Sequence, residues 1–205
     1  MAIPINIEDL LNKRKIESNR IEFKKGWNPD KIYRTICAFA NDFDNIGGGY
    51  IVVGIEEEER TGIAKRPVTG VPIEALNDIQ KDMVGYNNKI EPYYMPRIDV
   101  QEVDGKSVLV IWAPAGVNRP YNVRERVTAK QSPSKWYIRS GTSTIEAKGE
   151  VLDELREMAN RTPFDERGNE RIEISDISPA LVLDYLQTVG SRLANDFESK
   201  PFVEI

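Results

Sequence analysis

Two hydrophobic rhythms alternate along this chain, one with a period near 3.6 residues and one with a period of two. Ile32, Ile36, Phe39 and Ala40 share one helical face, which predicts a buried helix over residues 30–40. Apolar Ile73, Leu76, Ile79 and Met83 predict a helix over 73–86, and Val151, Leu152, Leu155 and Met158 predict one over 149–160 with those four facing inward. Asn6 as an N-cap, followed by Glu8 and Asp9, predicts a short helix over 6–11. Ser178-Pro179 opens another through Val189, with proline in its first turn. Period two appears where Ile21 and Phe23 alternate with Glu22 and Lys24. The unbroken apolar run from Tyr50 to Ile55 reads as a strand buried on both faces. Residues 97–102 and 107–112 form a hairpin through Asp104-Gly105, and 135–139 form a further strand. Gly47-Gly48-Gly49 reads as a tight turn. The mixture predicts an α+β fold, a mixed sheet with flanking helices. The polar stretch 162–170 marks a boundary, giving a domain over 1–161 and, over 162–205, a connector and helix that begin a truncated C-terminal region.

Composition narrows the chemistry. The 205 residues include no histidine and one cysteine, Cys37. That excludes a Ser-His-Asp triad, an HExxH zinc site, an internal disulfide and a CxxC pair. Catalysis would have to run on carboxylates, lysine, tyrosine, hydroxyls or a metal held by oxygen. No apolar run approaches the roughly 20 residues of a membrane helix, and the N-terminus lacks a signal-peptide pattern. The expectation is a cytoplasmic protein without membrane contact, its thiol reduced. The net charge of −5 is unevenly spread: residues 1–40, 41–96, 97–148 and 149–205 carry +3, −5, +4 and −7. Any polyanion must therefore be bound by local basic patches from the first and third segments.

Two constellations carry candidate chemistry. Glu22 and Lys24 lie two apart on a strand and share a face, with Glu17 upstream and Glu56 after the buried strand. Converging carboxylates of this kind hold Mg²⁺ or Mn²⁺, and a neighbouring lysine steadies charge on a phosphate. The Glu-x-Lys arrangement also occurs in metal-dependent PD-(D/E)xK nucleases, and it equally describes a charge-compensated, solvated strand face. The second constellation is basic and aromatic: Arg119, Arg124, Arg126, Lys130, Lys135 and Arg139, interleaved with Tyr121, Trp136 and Tyr137. With Lys24 and Lys25, its cations could grip phosphates while its aromatics stack on bases. Alternatively, Trp136 and Ile138 are the core face of an ordinary strand. The glycine run offers no phosphate loop, since no Walker pattern is present and the glycines precede a strand.

In order along the chain stand Glu17…Glu22-Phe23-Lys24, Ala38-Phe39-Ala40-Asn41, Gly48-Gly49-Tyr50-Ile51-Val52-Val53-Gly54-Ile55-Glu56, Arg119-Pro120-Tyr121, and Tyr137-Ile138-Arg139-Ser140-Gly141-Thr142-Ser143-Thr144 with Ala147. This series closely resembles the Schlafen-AlbA domain over about residues 8–160. The resemblance implies two functions. Prokaryotic members are labelled DNA-binding transcriptional regulators, which implies a nucleic-acid-binding module, for DNA before RNA, with no required cofactor; a homodimer could duplicate its basic patch and add avidity. Animal Schlafens include tRNA- and rRNA-cleaving endoribonucleases, whose three-carboxylate site falls on Glu17, Glu22 and Glu56, with Lys24 assisting and Mg²⁺ or Mn²⁺ bound. Glu56 replaces a common aspartate, and 42–46 form an insertion relative to many relatives. The third alternative is a ligand- or partner-sensing interaction domain.

Overall fold

In the computed structural model, which describes residues 4–12, 18–58, 60–158 and 178–197, the chain divides into two compact units, Met1–Asn160 and Arg161–Ile205. Helix α1 is Ile7–Leu11, capped by Asn6, whose side chain accepts from the Glu8 N–H at 2.8 Å. A 3₁₀ turn, Ser18–Arg20, leads into β1, Ile21–Lys24. Central helix α2, Pro29–Asn41, starts with the Asn28 side chain accepting from the Lys31 N–H and Pro29 in its first turn. It ends where Asp42 turns left-handed at φ 45°. Strand β2, Gly49–Val53, is buried throughout, as an apolar run flanked on both faces should be.

Strand β1 pairs in parallel with β2; β2 pairs antiparallel with β5, Lys106–Ala113, and β5 with β4, Arg97–Val103. The sheet order is β1-β2-β5-β4, so β1 and β4 are its edges. One face carries Ile51, Val53, Leu109 and Ile111 against α2 and against α3, Ile73–Asn87, which contributes Leu76, Ile79 and Met83. The other face carries Val52, Val108 and Val110 against Leu10 and Leu11 of α1. A second, antiparallel sheet runs β3-β6-β7-β8: Ile90–Glu91, Asn122–Arg124, Ser134–Ser140 and Ser143–Glu146. Its Val123 and Tyr137 join the α2 core, while Ile138 and Ala147 pack against Leu155 of α4, Glu150–Met158. In the second unit, α5 is Pro179–Thr188 and α6 is Leu193–Asp196.

The α+β class read from the periodicity is the observed one, with the sheet divided in two. Strands β3, β6 and β8 have no counterpart in the sequence reading; at two to four residues they are too short to show a period. Ile73, the apolar residue that opens α3, is 66% exposed, because the core that α3 covers begins at Leu76. The 162–170 boundary lies outside the described residues. Within the described residues, no helix is long and apolar enough to cross a membrane. At the β4 edge, the Asp99 carboxylate accepts from the Val100 N–H at 3.1 Å and from the Gln101 side chain.

Candidate nucleic-acid interface

A cleft of about 360 Å³ opens where edge strand β1, the first turns of α2 and the β7–β8 hairpin meet. Its walls are Glu22 and Lys24 from β1, Lys31, Arg34 and Thr35 from α2, and Tyr137, Thr142, Ser143 and Thr144 from the hairpin. Three cations thus face one carboxylate. Glu22 and Lys24 share a face, as the strand period demands, and hydrogen-bond to each other. The second Glu22 oxygen accepts from Arg139 Nη1 at 3.0 Å. Lys31 is exposed and has no side-chain partner among the described residues. Arg34 donates Nε to the Asp30 carbonyl at 3.1 Å, one helical turn back, which leaves both terminal nitrogens unpaired among the described residues. Thr35 and Thr144 share a hydroxyl–hydroxyl hydrogen bond of 3.1 Å that ties α2 to the hairpin across the cleft floor. Burial pushes the Tyr137 phenol above its ordinary range against the pull of Arg34 and Lys135, so it stays a neutral donor.

The remaining basic residues divide by what holds them. Arg139 is 7% exposed and donates to the Asn19 and Thr142 carbonyls, to the Thr144 hydroxyl and to Glu22, with its guanidinium 5.1 Å from the Phe39 ring centroid. Arg119 Nη1 donates to the Asn41 and Asp42 carbonyls at 3.1 and 3.0 Å, closing the end of α2. Both brace the fold: Arg139 is buried with its donors filled, while half-buried Arg119 spends Nη1 on the two carbonyls and sets Nη2 3.5 Å from the Asn45 side-chain oxygen. Lys25 is exposed but pairs with Glu56 at 3.2 Å. Lys135 lies between Glu125 at 2.7 Å and Glu146 at 3.3 Å, and these partners raise its pKa. Arg126 and Lys130 are exposed, and Arg124 Nη1 donates to the Lys130 carbonyl. Their loop is tied to α2 because Thr128 donates its backbone N–H and its hydroxyl to the Asp30 carboxylate, one residue from Lys31. Loop and cleft therefore border the same end of α2.

The aromatic residues are not a stacking platform. Tyr121 and Tyr137 are 2% and 5% exposed, and Trp136 packs beside Ile138 under the Arg156 guanidinium. The core-strand alternative for Trp136 and Ile138 is the one the structure adopts.

The carboxylate set implied for a metal does not form a cage among the described residues. Glu22 is bound through both oxygens to Lys24 and Arg139, Glu56 is held by Lys25 and does not line the cleft, and Glu17 lies outside the described residues. Among the described residues, no group of three or more acidic, histidine or cysteine side chains is placed to hold a metal ion. The glycine turn likewise has its amides filled: Asp42 Oδ1 accepts from the N–H groups of Ile46, Gly47 and Gly48 at 3.0–3.1 Å. Gly48 is obligatory there, since φ is +77° and a Cβ would lie 2.2 Å from the Ala113 carbonyl oxygen.

Lys31, Arg34 and Thr35 were absent from the sequence-level site, although their three- and four-residue spacing along a helix places them on one face. That signal lies on the polar side of the helix, opposite the apolar face whose spacing marks the core.

Two sheets around one central helix, with a cationic cleft at the helix's start, define an α+β domain. The Schlafen, AlbA_2 family model matches residues 17–148, and the chain belongs to that family. No curated protein matches the chain. Among solved structures it is similar to the NMR structure of the N-terminal domain of a RecG-related protein from Nitrosomonas europaea. That match has 26% identity, covers 62% of this chain and 78% of that one, and has a TM-score of 0.42. It is also similar to a crystal structure of a Corynebacterium diphtheriae protein, at 22% identity and a TM-score of 0.46. The match covers 80% of this chain and spans 28% of that protein.

Proposed function

We propose that this chain is a nucleic-acid-binding module of the DNA-binding regulator type, and that it grips the phosphate backbone at the cleft between β1, α2 and the β7–β8 hairpin. The observation that carries this reading is the convergence of Lys24, Lys31 and Arg34 on one hydroxyl-lined cleft with a single opposing carboxylate. Membership in the Schlafen, AlbA_2 family supports it. The molecule's net negative charge does not oppose it, because phosphates respond to the local potential. Tyr137, the one ring lining the cleft, is buried, so the contacts there are to phosphate and sugar, which position a duplex without reading its sequence.

The test is binding of fluorescent duplex DNA, with structured RNA in parallel, over a range of salt concentrations and with Mn²⁺ or EDTA added. Three phosphate contacts predict a log K against log salt slope of about −2.7 on duplex DNA. Replacing Lys31 and Arg34 together by glutamate should lower affinity by about tenfold or more at low salt, with the thermal melt unchanged. The nucleic acid should remain intact in every arm. Equal affinity for wild type and the double variant would overturn the assignment of this cleft.

A further inference from the structure

Glu22 is an odd resident for a phosphate cleft. It is the one acid among the lining residues, and it occupies Lys24, the cation that β1 contributes. Its other oxygen is anchored by Arg139, a buried side chain fixed by two backbone carbonyls and a threonine hydroxyl. The carboxylate is therefore held in place from behind and offers its free side to Lys24.

We infer that Glu22 is a built-in competitor for the phosphate subsite at Lys24, and that it makes the cleft selective for polyanions over isolated phosphate. This deepens the proposed backbone-binding reading and rests on it. A tethered carboxylate meets Lys24 at a high effective concentration, so a free phosphate in solution competes poorly. A polynucleotide first engages Lys31 and Arg34, which have no acidic partner among the described residues, and its next phosphate then displaces Glu22 intramolecularly. Lys24 exchanges one anionic partner for another, while Arg139 keeps Glu22 from leaving the cleft wall. Glu22 is thus a specificity-determining residue, whose charge sets the threshold number of phosphates.

The test is Glu22→Gln, which keeps the shape and an acceptor for Arg139 while removing the charge. It should bind duplex DNA about three- to tenfold more tightly at low salt, because a like charge leaves the site. Its salt slope should stay near that of the wild type, at about −2.7, because Lys24 meets a phosphate in both proteins and only the anion it must first shed differs. Inorganic phosphate, which should not displace labelled DNA from wild type at millimolar concentration, should displace it from the variant. In a Lys24→Gln background the gain should vanish, and that double-mutant cycle separates competition at Lys24 from any general change in charge or folding. Unchanged or weaker DNA binding by Glu22→Gln, or a gain that persists without Lys24, would overturn the inference while leaving the cleft assignment standing. Loss of the Lys31 and Arg34 effect would instead remove the reading beneath it.

Discussion

Arg139 and Cys37 show how far a side chain's surroundings decide what it can do. Arg139 carries a full positive charge, yet its donors end on carbonyls, a hydroxyl and Glu22 inside the fold. Cys37, the chain's single thiol, is fully buried on α2 and donates to the Tyr121 carbonyl at 3.2 Å. Burial pushes its pKa from the ordinary 9.0 up to about 12. The thiolate is the reactive form, so the native protein should not react with a disulfide reagent at pH 8, whereas denatured protein should release one equivalent. Because the folded value is raised, the neutral thiol's contribution to stability is fully present below pH 9 and lost as pH climbs towards 12. Thermal melts of wild type and Cys37→Ala should therefore converge over that window. A native thiol that reacts at pH 8 would contradict the burial.

At the scale of elements, one residue joins three of them. Asn41, at the end of α2, is wholly buried. Its amide donates to the Tyr121 and Tyr137 carbonyls at 2.9 and 2.8 Å, and its oxygen accepts from the Tyr121 N–H at 2.7 Å. Helix α2, the approach to β6 and strand β7 are thus pinned at one point. Asn41→Ala leaves those backbone groups without their partner, and the expected cost is about 3 kcal/mol, read as a lower urea midpoint with an unchanged slope. This is also where the sequence was most and least legible. The core of α2 and β2 could be read from periodicity, because burying one face writes itself into spacing. The Ala-Phe-Ala-Asn and Arg-Pro-Tyr motifs could be recognised, but their reason could not: Asn41, Arg119 and Tyr121 meet across about 80 positions of sequence, and only the fold shows that they close one joint. The charge of Arg119 was legible in the sequence, and the Asn41 and Asp42 carbonyls that accept from its Nη1 were not. The cleft was half legible, since Lys24 stood in the strand motif and its α2 partners did not.

At the scale of the whole molecule, charge is arranged by position. The acidic excess lies mainly in residues 41–96 and 149–205, away in sequence from the β1–α2 cations. Such a molecule repels its own kind in solution while gathering Lys24, Lys31 and Arg34 on one cleft. One further feature bears on self-association. Across the two-residue turn, Val103 pairs with Lys106, so Ile98, Val100 and Glu102 turn their backbone groups outward from β4. Asp99 engages the middle one of those amides. Asp99→Ala should free it, and light scattering should then report concentration-dependent growth that wild type lacks. Unpaired strand margins are where proteins nucleate fibrils, and at this margin the chain has placed an anion that a docking neighbour would have to evict first. If the proposed function holds, crowding many copies along a nucleic acid would raise local concentration without zipping their sheets into a continuous ribbon.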